Sequence, residues 1–304
     1  MSRAVQYSRH GGPEVLEIVD VPEPHAGPGQ VRVAVRAAGL NPFDYKVRAD
    51  PDYLPSHKLP SGQGNEFAGV VDEIGDDVTG VSVGDEVLGW NSFAAQAEYA
   101  VVPFAHVAPK PAALDWASAG SIGLVGNTAR RATDAVAPGN GDTVLISGVA
   151  GGVGLFAAQF ALRAGSTVIG TASEANHDFL RTLGIIPVTY GPGLVERVRQ
   201  AAPQGVTAVI DTVGQETVEA AIELGVAPER INTIVAQPGV ELYGIHAVGG
   251  GGKTAATLAQ LAELVASGDL VMPIAAAYPL ADVREAYERL ESRHLLGKVV
   301  LLLP

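Results

Sequence analysis

The chain has 304 residues, 47% of them apolar and 17% charged, which is enough apolar material for one large or two ordinary folded domains and excludes a disordered chain. Its net charge of −13 argues against a nucleic-acid partner, whose phosphates want a basic face, but not against an anion held at a local site. With no cysteine, disulfides, thiol nucleophiles and thiolate metal sites are excluded.

Residues 1–110 read as short strands broken by glycine and proline. Val31–Ala37 alternates apolar and polar side chains as a half-buried strand does; Glu66–Ile74 and Glu86–Leu88 are further strand candidates, with turns at Gly75, Gly80 and Gly84. Such spacing predicts a small barrel-like β region. From about Ser118 the pattern changes. Ala119–Val136 predicts one helix, followed by strand Thr143–Ile146, helix Leu155–Ala164 and strand Thr167–Ile169. Val206–Asp211 predicts a strand, Glu216–Leu224 a helix, and Ile231–Val235 and Val240–Ile245 two more strands. This alternation favours a parallel sheet with helices on both faces. Thr254–Ser267 predicts an amphipathic helix ended by Gly268, and after Pro273 short β elements return with one helix (Ala281–Arg293) and a closing strand (Lys298–Leu303). The fold class expected is α/β: a Rossmann, doubly wound parallel-sheet domain over 122–270 inserted into a β-rich, barrel-like domain made of 1–121 and 271–304. No signal-peptide-like apolar region opens the chain and no long uncharged apolar run reaches membrane-spanning length, so a soluble, cytoplasmic protein is expected.

The most specific stretch is Asp142–Ser173, a strand, a glycine-rich turn, a helix and a second strand. Gly151 and Gly154 remove the side chains that would keep backbone from phosphate and helix from strand. The N–H groups that open the helix, with the positive end of its dipole, then face an anion. This is the pattern of a dinucleotide site, set against the plainer reading of a structural βαβ turn.

Taken in order, GGPEVLEI (Gly11–Ile18), the N-P-x-D motif in AAGLNPFDYKVRAD (Ala37–Asp50), GNEFAGVVDEIG (Gly64–Gly75) with VGDEVLG (Val83–Gly89), GNTARRA (Gly126–Ala132), GVAGGVG (Gly148–Gly154) and the tail Tyr278–Leu301 resemble the medium-chain dehydrogenase/reductase superfamily. Within it they resemble the zinc-free, zeta-crystallin-like quinone oxidoreductases. The resemblance implies that the β-rich part is a GroES-like catalytic domain. Zinc-bearing relatives have a cysteine where this chain has Asn41, and a four-cysteine lobe that is absent here. The seven histidines are scattered without paired helical spacing, and Glu66 has no evident partner ligand, so no metal is expected and Glu66 is read as a paired carboxylate of the core or cleft.

The turn residues Gly148, Gly151, Gly152, Val153 and Gly154 are expected to bind the cofactor. Where NAD-selective sites end their second strand with an acid, this chain has Ser173, which favours NADPH; Asn176 and His177 stand next to bond a 2′-phosphate, with a solvated helix start as their alternative. A one-residue shift would make Glu174 the ribose ligand instead. By the resemblance, Thr128 lies near the nicotinamide or its phosphates, or is an ordinary helix threonine. Gly251, in the glycine loop Gly249–Lys253, and Lys298 in the tail are counted among the cofactor-binding residues.

The chemistry implied is hydride delivery from NADPH to an electron-poor acceptor, a quinone or alternatively an enone or alkenal, either of which leaves an anion that wants a hydrogen-bond donor and a proton. Asn41, Tyr45 and Lys46 are the candidate catalytic residues, Tyr45 and Lys46 having a cleft-edge surface pair as their alternative. Asp44 is read as orienting Lys46 or capping a turn, and Tyr53 as acceptor wall. A low-turnover NADPH-binding sensor is the reading outside catalysis. A homodimer is expected, with Val240–Ile245 as an edge strand that pairs across a two-fold axis.

Overall fold

Strands supply most of the order in this molecule, and their burial patterns sort them into three sheets. The structure is a computed structural model that describes all 304 residues. In chain order the elements are β1 (Ser2–Tyr7), β2 (Glu17–Val21), β3 (Gln30–Gly39), α1 (Pro42–Ala49), β4 (Ser61–Gly62), β5 (Phe67–Ile74), β6 (Glu86–Gly89), β7 (Tyr99–Pro103), β8 (Val107–Pro109), α2 (Trp116–Ala119) and α3 (Gly123–Val136). They continue as β9 (Thr143–Ile146), α4 (Gly152–Arg163), β10 (Thr167–Thr171), α5 (His177–Thr182), β11 (Ile186–Val188), α6 (Leu194–Ala201), β12 (Ala208–Asp211), α7 (Gln215–Glu223), β13 (Ile231–Thr233) and α8 (Gln237–Tyr243). The last four are α9 (Ala255–Ala266), β14 (Ile274–Pro279), α10 (Val283–Glu291) and β15 (Lys298–Leu302). No helix is long and apolar enough to cross a membrane.

The chain divides into two compact units, Met1–Leu124 with Lys253–Pro304, and Val125–Gly252. In the first, one sheet runs β14-β15-β3-β5-β6-β8 with β7 also on β3, and a smaller one runs β2-β1-β4. Strand β3 is the organiser. Val31, Val33 and Val35 point into a core shared with Phe67, Val71, Val102 and Leu301, as the period of two along a strand requires. β15 lies antiparallel to β3 with Val300 opposite Gly39, and Ala38 of β3 lies opposite Phe67 of β5. Continuing that register puts Lys298 opposite Asn41 and Glu66 opposite Gly39, diagonal to Asn41, at neighbouring ends of three adjacent strands.

The second unit is a five-stranded parallel sheet in the order β11-β10-β9-β12-β13, with a core that includes Leu145, Ile169, Val209 and Ile231. Its central strands β9 and β12 are buried nearly end to end, as parallel strands covered on both faces are. Chain order reverses between β9 and β12, so the crevice beyond their carboxyl ends is the topological switch point, where ligands of such sheets bind.

The predicted helix Ala119–Val136 is two helices. The break follows from close packing: a Cβ on Gly120 would lie 2.7 Å from the Ala37 carbonyl oxygen, and Gly39 N donates to Gly120 O at 2.8 Å. Backbone touching backbone at β3 leaves no room for a continuous helix. The predicted strand Val240–Ile245 is wrong as well: the segment is α8, with Pro238 in its first turn and Gly244 at φ 69° closing it. The short run of Val, Leu and Tyr carried a strand signal that these two helix boundaries override. What lies along β13 is Ile245–Ala247, with Thr233 N donating to His246 O and His246 N donating to Ile231 O. That strand edge is covered by its own chain, and the argument for a two-fold partner built on residues 240–245 goes with the strand. The second boundary between the units falls at Gly252, ahead of α9, because α9 packs on β6 and β8 of the first unit.

Candidate active site

In the second unit the sequence-predicted turn residues come together at the carboxyl end of β9. Gly148 adopts φ 62°, and a Cβ on Gly154 would lie 2.3 Å from the Gly148 carbonyl oxygen. Gly154 is therefore where helix α4 meets the strand's exit. A Cβ on Gly151 would meet nothing nearer than 3.4 Å. Gly151 caps α4 with no side-chain hydrogen bond, and the first intrahelical bond is Leu155 N to Gly151 O. The N–H groups of Gly152, Val153 and Gly154 thus stand at an uncapped helix start beside an open Gly151, a cradle that fits a pyrophosphate.

Beyond β10, Ser173, Asn176 and His177 gather within one turn. Asn176 Nδ2 donates to Ser173 Oγ at 3.2 Å, and a His177 ring nitrogen lies 3.3 Å from Ala172 O. Glu174 is exposed at the start of the 3-10 turn Glu174–Asn176. Thr128 is buried on α3. Its neighbours Asn127 and Arg131 hold the glycine loop: Asn127 Nδ2 donates to Gly251 O at 2.8 Å and Arg131 Nε to Gly249 O at 3.0 Å. Gly251 accordingly sits in a loop latched to α3. Sequence reasoning missed both latches, although GNTARRA held them on either side of Thr128.

It also missed Asp211. That carboxylate, 0% exposed, accepts from Ser147 Oγ, Val213 N, Gly214 N and Thr233 Oγ1 at 2.7–3.0 Å. It ties the ends of β9, β12 and β13 together at the switch point, so it shapes the loops there. An acid closing the apolar run AVID was the available signal.

In the first unit, Lys298 Nζ donates to Leu40 O at 2.8 Å, Asn41 Oδ1 at 2.6 Å and Glu66 Oε1 at 3.0 Å. Asn41 Nδ2 donates to the same Glu66 oxygen at 2.9 Å, and Leu124 N donates to Oε2 at 2.7 Å. Glu66 is thus a paired core carboxylate. All three Lys298 donors are spent inside this cluster, which corrects its assignment as a cofactor ligand: the ammonium has none left for a phosphate. Asn41, likewise buried, keeps one uncommitted amide hydrogen. No group of three or more His, Cys, Asp or Glu is arranged to hold a metal ion.

Of the two readings of Asp44, its hydrogen bonds show the cap. Its buried carboxylate accepts from Asn41 N at 2.8 Å, Asn65 Nδ2 at 2.6 Å and the Tyr287 hydroxyl at 3.4 Å, so it caps α1 and anchors it to α10. Burial pushes the Asp44 carboxyl up to about 6 from its ordinary 3.8, against the pull of the Asn65 and Asn41 N–H groups and the Lys298 charge. The folded state therefore holds this proton to higher pH than the unfolded chain does. The stability it contributes is fully present below about pH 4 and is lost as pH rises through about 6. Urea denaturation is expected to show wild-type stability falling relative to Asp44→Asn between those limits; a constant difference would refute the assignment.

Tyr45 packs against the barrel core, and Lys46 Nζ lies 5.7 Å from the Tyr53 ring centroid. Phe43 and Tyr53 are 37% and 41% exposed, their rings 6.1 Å apart, and Phe93 lies 5.9 Å from Phe43. Exposed aromatic rings in a group form a surface that suits a flat, apolar ligand.

The comparisons fit this geometry. Residues 27–112 match the alcohol dehydrogenase GroES-like domain, and residues 185–301 match the zinc-binding dehydrogenase family. The quinone oxidoreductase of Pseudomonas aeruginosa is 32% identical over 329 residues, covering 99% of this chain and 100% of that protein. The chain belongs to the quinone oxidoreductases of the medium-chain dehydrogenase/reductase superfamily. It is an oxidoreductase of that superfamily, with its Rossmann and GroES-like folds. Its structure is similar to the quinone oxidoreductase of Coxiella burnetii (TM-score 0.90, 34% identity, 100% of this chain and 99% of that one). It is also similar to the Escherichia coli quinone oxidoreductase complexed with NADPH (TM-score 0.87, 26% identity, 99% of each chain). The family profile is named for zinc binding, yet this member has Asn41 at the cysteine position, with its amide bonded to Lys298 and Glu66.

Proposed function

We propose that this protein is an NADPH-dependent, zinc-independent quinone oxidoreductase. The observation that carries the reading is the uncapped start of α4 beside the open Gly151, at the switch point of a parallel sheet. Gly148, Gly151, Gly152, Val153 and Gly154 hold the pyrophosphate, with Asp211 bracing the strand ends beneath them. Ser173, Asn176 and His177 take the 2′-phosphate of the ribose: a neutral hydroxyl, an amide and a ring nitrogen accept it where an acid would repel it. Thr128 and the latched loop around Gly251 lie on the nicotinamide side. When bound, NADPH supplies a hydride.

The protein's part is to hold the acceptor in place, exclude water and manage the negative charge that reduction creates. The aromatic group Phe43, Tyr53 and Phe93 provides the flat surface, while Tyr45 and Lys46 stand as polar groups at its edge. The Lys298–Glu66–Asn41 cluster takes the place of a metal centre as a rigid internal support.

The test is nicotinamide oxidation followed by absorbance against a benzoquinone, a naphthoquinone, a linear enal and a cyclic enone. Turnover with NADPH and a quinone is expected; turnover of the enal or enone alone would make this an enone reductase. Ser173→Asp should lower kcat/KM for NADPH by roughly tenfold, about 1.4 kcal/mol, while sparing NADH. Equal losses for both cofactors would remove Ser173 from phosphate selection.

A further inference from the structure

Four of the five buried side-chain polar atoms that lack a hydrogen-bond partner in this protein belong to the first unit: Arg48 Nη1, Gln63 Nε2 and Oε1, and Gln96 Oε1. The side chains that carry them are gathered at one place, around Tyr287 of α10. Arg48, on the last turn of α1, lays its guanidinium over the Tyr287 ring, with Cζ 4.8 Å from the centroid. Its Nε donates to Gly11 O at 3.2 Å and its Nη2 pairs with Glu291 of α10, so only the N–H bonds of Nη1 find no acceptor. Gln96 Nε2 donates to the Tyr287 hydroxyl at 2.8 Å, and that hydroxyl donates to Asp44 Oδ2 at 3.4 Å. Gln63 is joined to Gln96 through the backbone, Gln96 N donating to Gln63 O at 2.9 Å. Burial first, and the Asp44 charge after it, hold the Tyr287 hydroxyl well above its ordinary 10, while Gln96, Arg48 and Gln63 pull it down. All three side chains thus act on the same tyrosine.

Arg48 is 0% exposed and Gln63 and Gln96 are each 1% exposed, so bulk solvent does not reach these groups. A buried polar atom without a partner is unfavourable, and three side chains sharing one such deficit point to a common partner. Turning the Gln96 amide over does not remove the deficit: its oxygen would then take the Tyr287 proton from Asp44 and leave Nε2 unpaired instead. Nor is Gln96 free to swing away, since a Cβ on Gly64, at φ 85°, would lie 2.5 Å from its Cγ. We propose that this cluster is an enclosed hydration site, in which ordered water accepts from Arg48 Nη1 and Gln63 Nε2 and donates to the Gln63 and Gln96 amide oxygens. The mixture of groups selects the ligand. An anion would suit the two donors but would face two amide oxygens, and a cation would suit the oxygens but face a guanidinium. Water donates and accepts, and a buried water makes about three such bonds.

Such water ties together parts of the first unit that have few other polar links. Arg48 ends the helix that carries Tyr45 and Lys46, and Gln63 lies just ahead of Asn65, whose amide donates to Asp44 at 2.6 Å, and of Glu66. Gln96 leads into β7, and Tyr287 and Glu291 belong to α10. The water is thus a positioning element for α1, held entirely inside one unit, and it needs neither cofactor nor electron acceptor.

Two measurements test this. A crystal structure of the wild-type protein, at a resolution that orders water, should show density within hydrogen-bond distance of Arg48 Nη1 and of the Gln63 amide. Crystals soaked in bromide should show no anomalous peak there; a bromide peak would make this an anion site and overturn the assignment to water. The second measurement is the melting temperature of Gln63→Met, which keeps the length of the side chain and removes both of its polar atoms. In a hydrated site the water loses two partners, and the transition should fall by about 3 °C or more. In a dry site the same change removes two unpaired polar atoms, and the transition should rise. An unchanged or raised transition, or no density between Arg48 and Gln63, would overturn the proposal. If Gln63→Met does not fold, the wild-type density decides by itself.

Discussion

Gly154→Ala should unfold the nucleotide-binding unit, whereas Gly151→Ala, three residues earlier on the same turn, should leave it folded and unable to hold NADPH. A Cβ on Gly154 would lie 2.3 Å from Gly148 O, 2.7 Å from Gly148 C and 2.9 Å from Ser147 O. All three are backbone atoms at the exit of the central strand, so relief requires α4 to lift off the sheet. Overpacking that only backbone movement can relieve belongs to the severe class of substitutions, about 4 kcal/mol or more. Gly151 is different. It has φ −89° and ψ 170°, which any residue adopts, and its added Cβ makes only an ordinary contact at 3.4 Å. The methyl group would occupy the space through which a phosphate approaches the α4 N–H groups. Thermal denaturation and NADPH fluorescence titration separate the two: a lost or much earlier transition for Gly154→Ala, and an unchanged transition with affinity weakened roughly tenfold or more for Gly151→Ala. Normal NADPH binding by Gly151→Ala would remove the pyrophosphate from this turn.

Lys298→Met should destabilise the first unit by about 3–5 kcal/mol, the usual result of stripping one partner from a buried ion pair. The Lys298 and Glu66 side chains are 4% and 1% exposed, 3.0 Å apart. Without the ammonium, Glu66 keeps only Asn41 Nδ2 and Leu124 N, and Asn41 Oδ1 and Leu40 O lose a donor. The double variant Glu66→Gln with Lys298→Met removes the stranded charge and is expected to recover at least half of the loss in urea denaturation. NADPH affinity, measured in the cold where Lys298→Met remains folded, should be that of wild type, since the lysine has no donor to spare. A loss of stability under about 1 kcal/mol would mean that the pair carries little of the fold.

The misread parts of the chain have two causes. Lys298 and Glu66 are 232 positions apart in the chain, and Asp44 bonds a tyrosine on α10. Pairing across such distances leaves no local pattern, so a lysine in a family-like tail looked like a cofactor ligand. Val240–Ile245 failed for the opposite reason: a local pattern was present, but Pro238 and Gly244 set helix boundaries around it.

Local sequence by itself determined the parts whose physics is short-range. The glycine turn of Gly148–Gly154 needs a left-handed residue, a helix start and a side-chain-free crossing within seven positions, and these are legible wherever they occur. The alternation along β3 and the apolar runs of β9 and β12 likewise state which faces are buried. Tertiary structure decided which polar groups are spent and which remain available, because a hydrogen bond to a residue hundreds of positions away consumes a donor without marking the sequence. Lys298 is closed off by three oxygens, whereas the Asn41 amide between them keeps one hydrogen uncommitted.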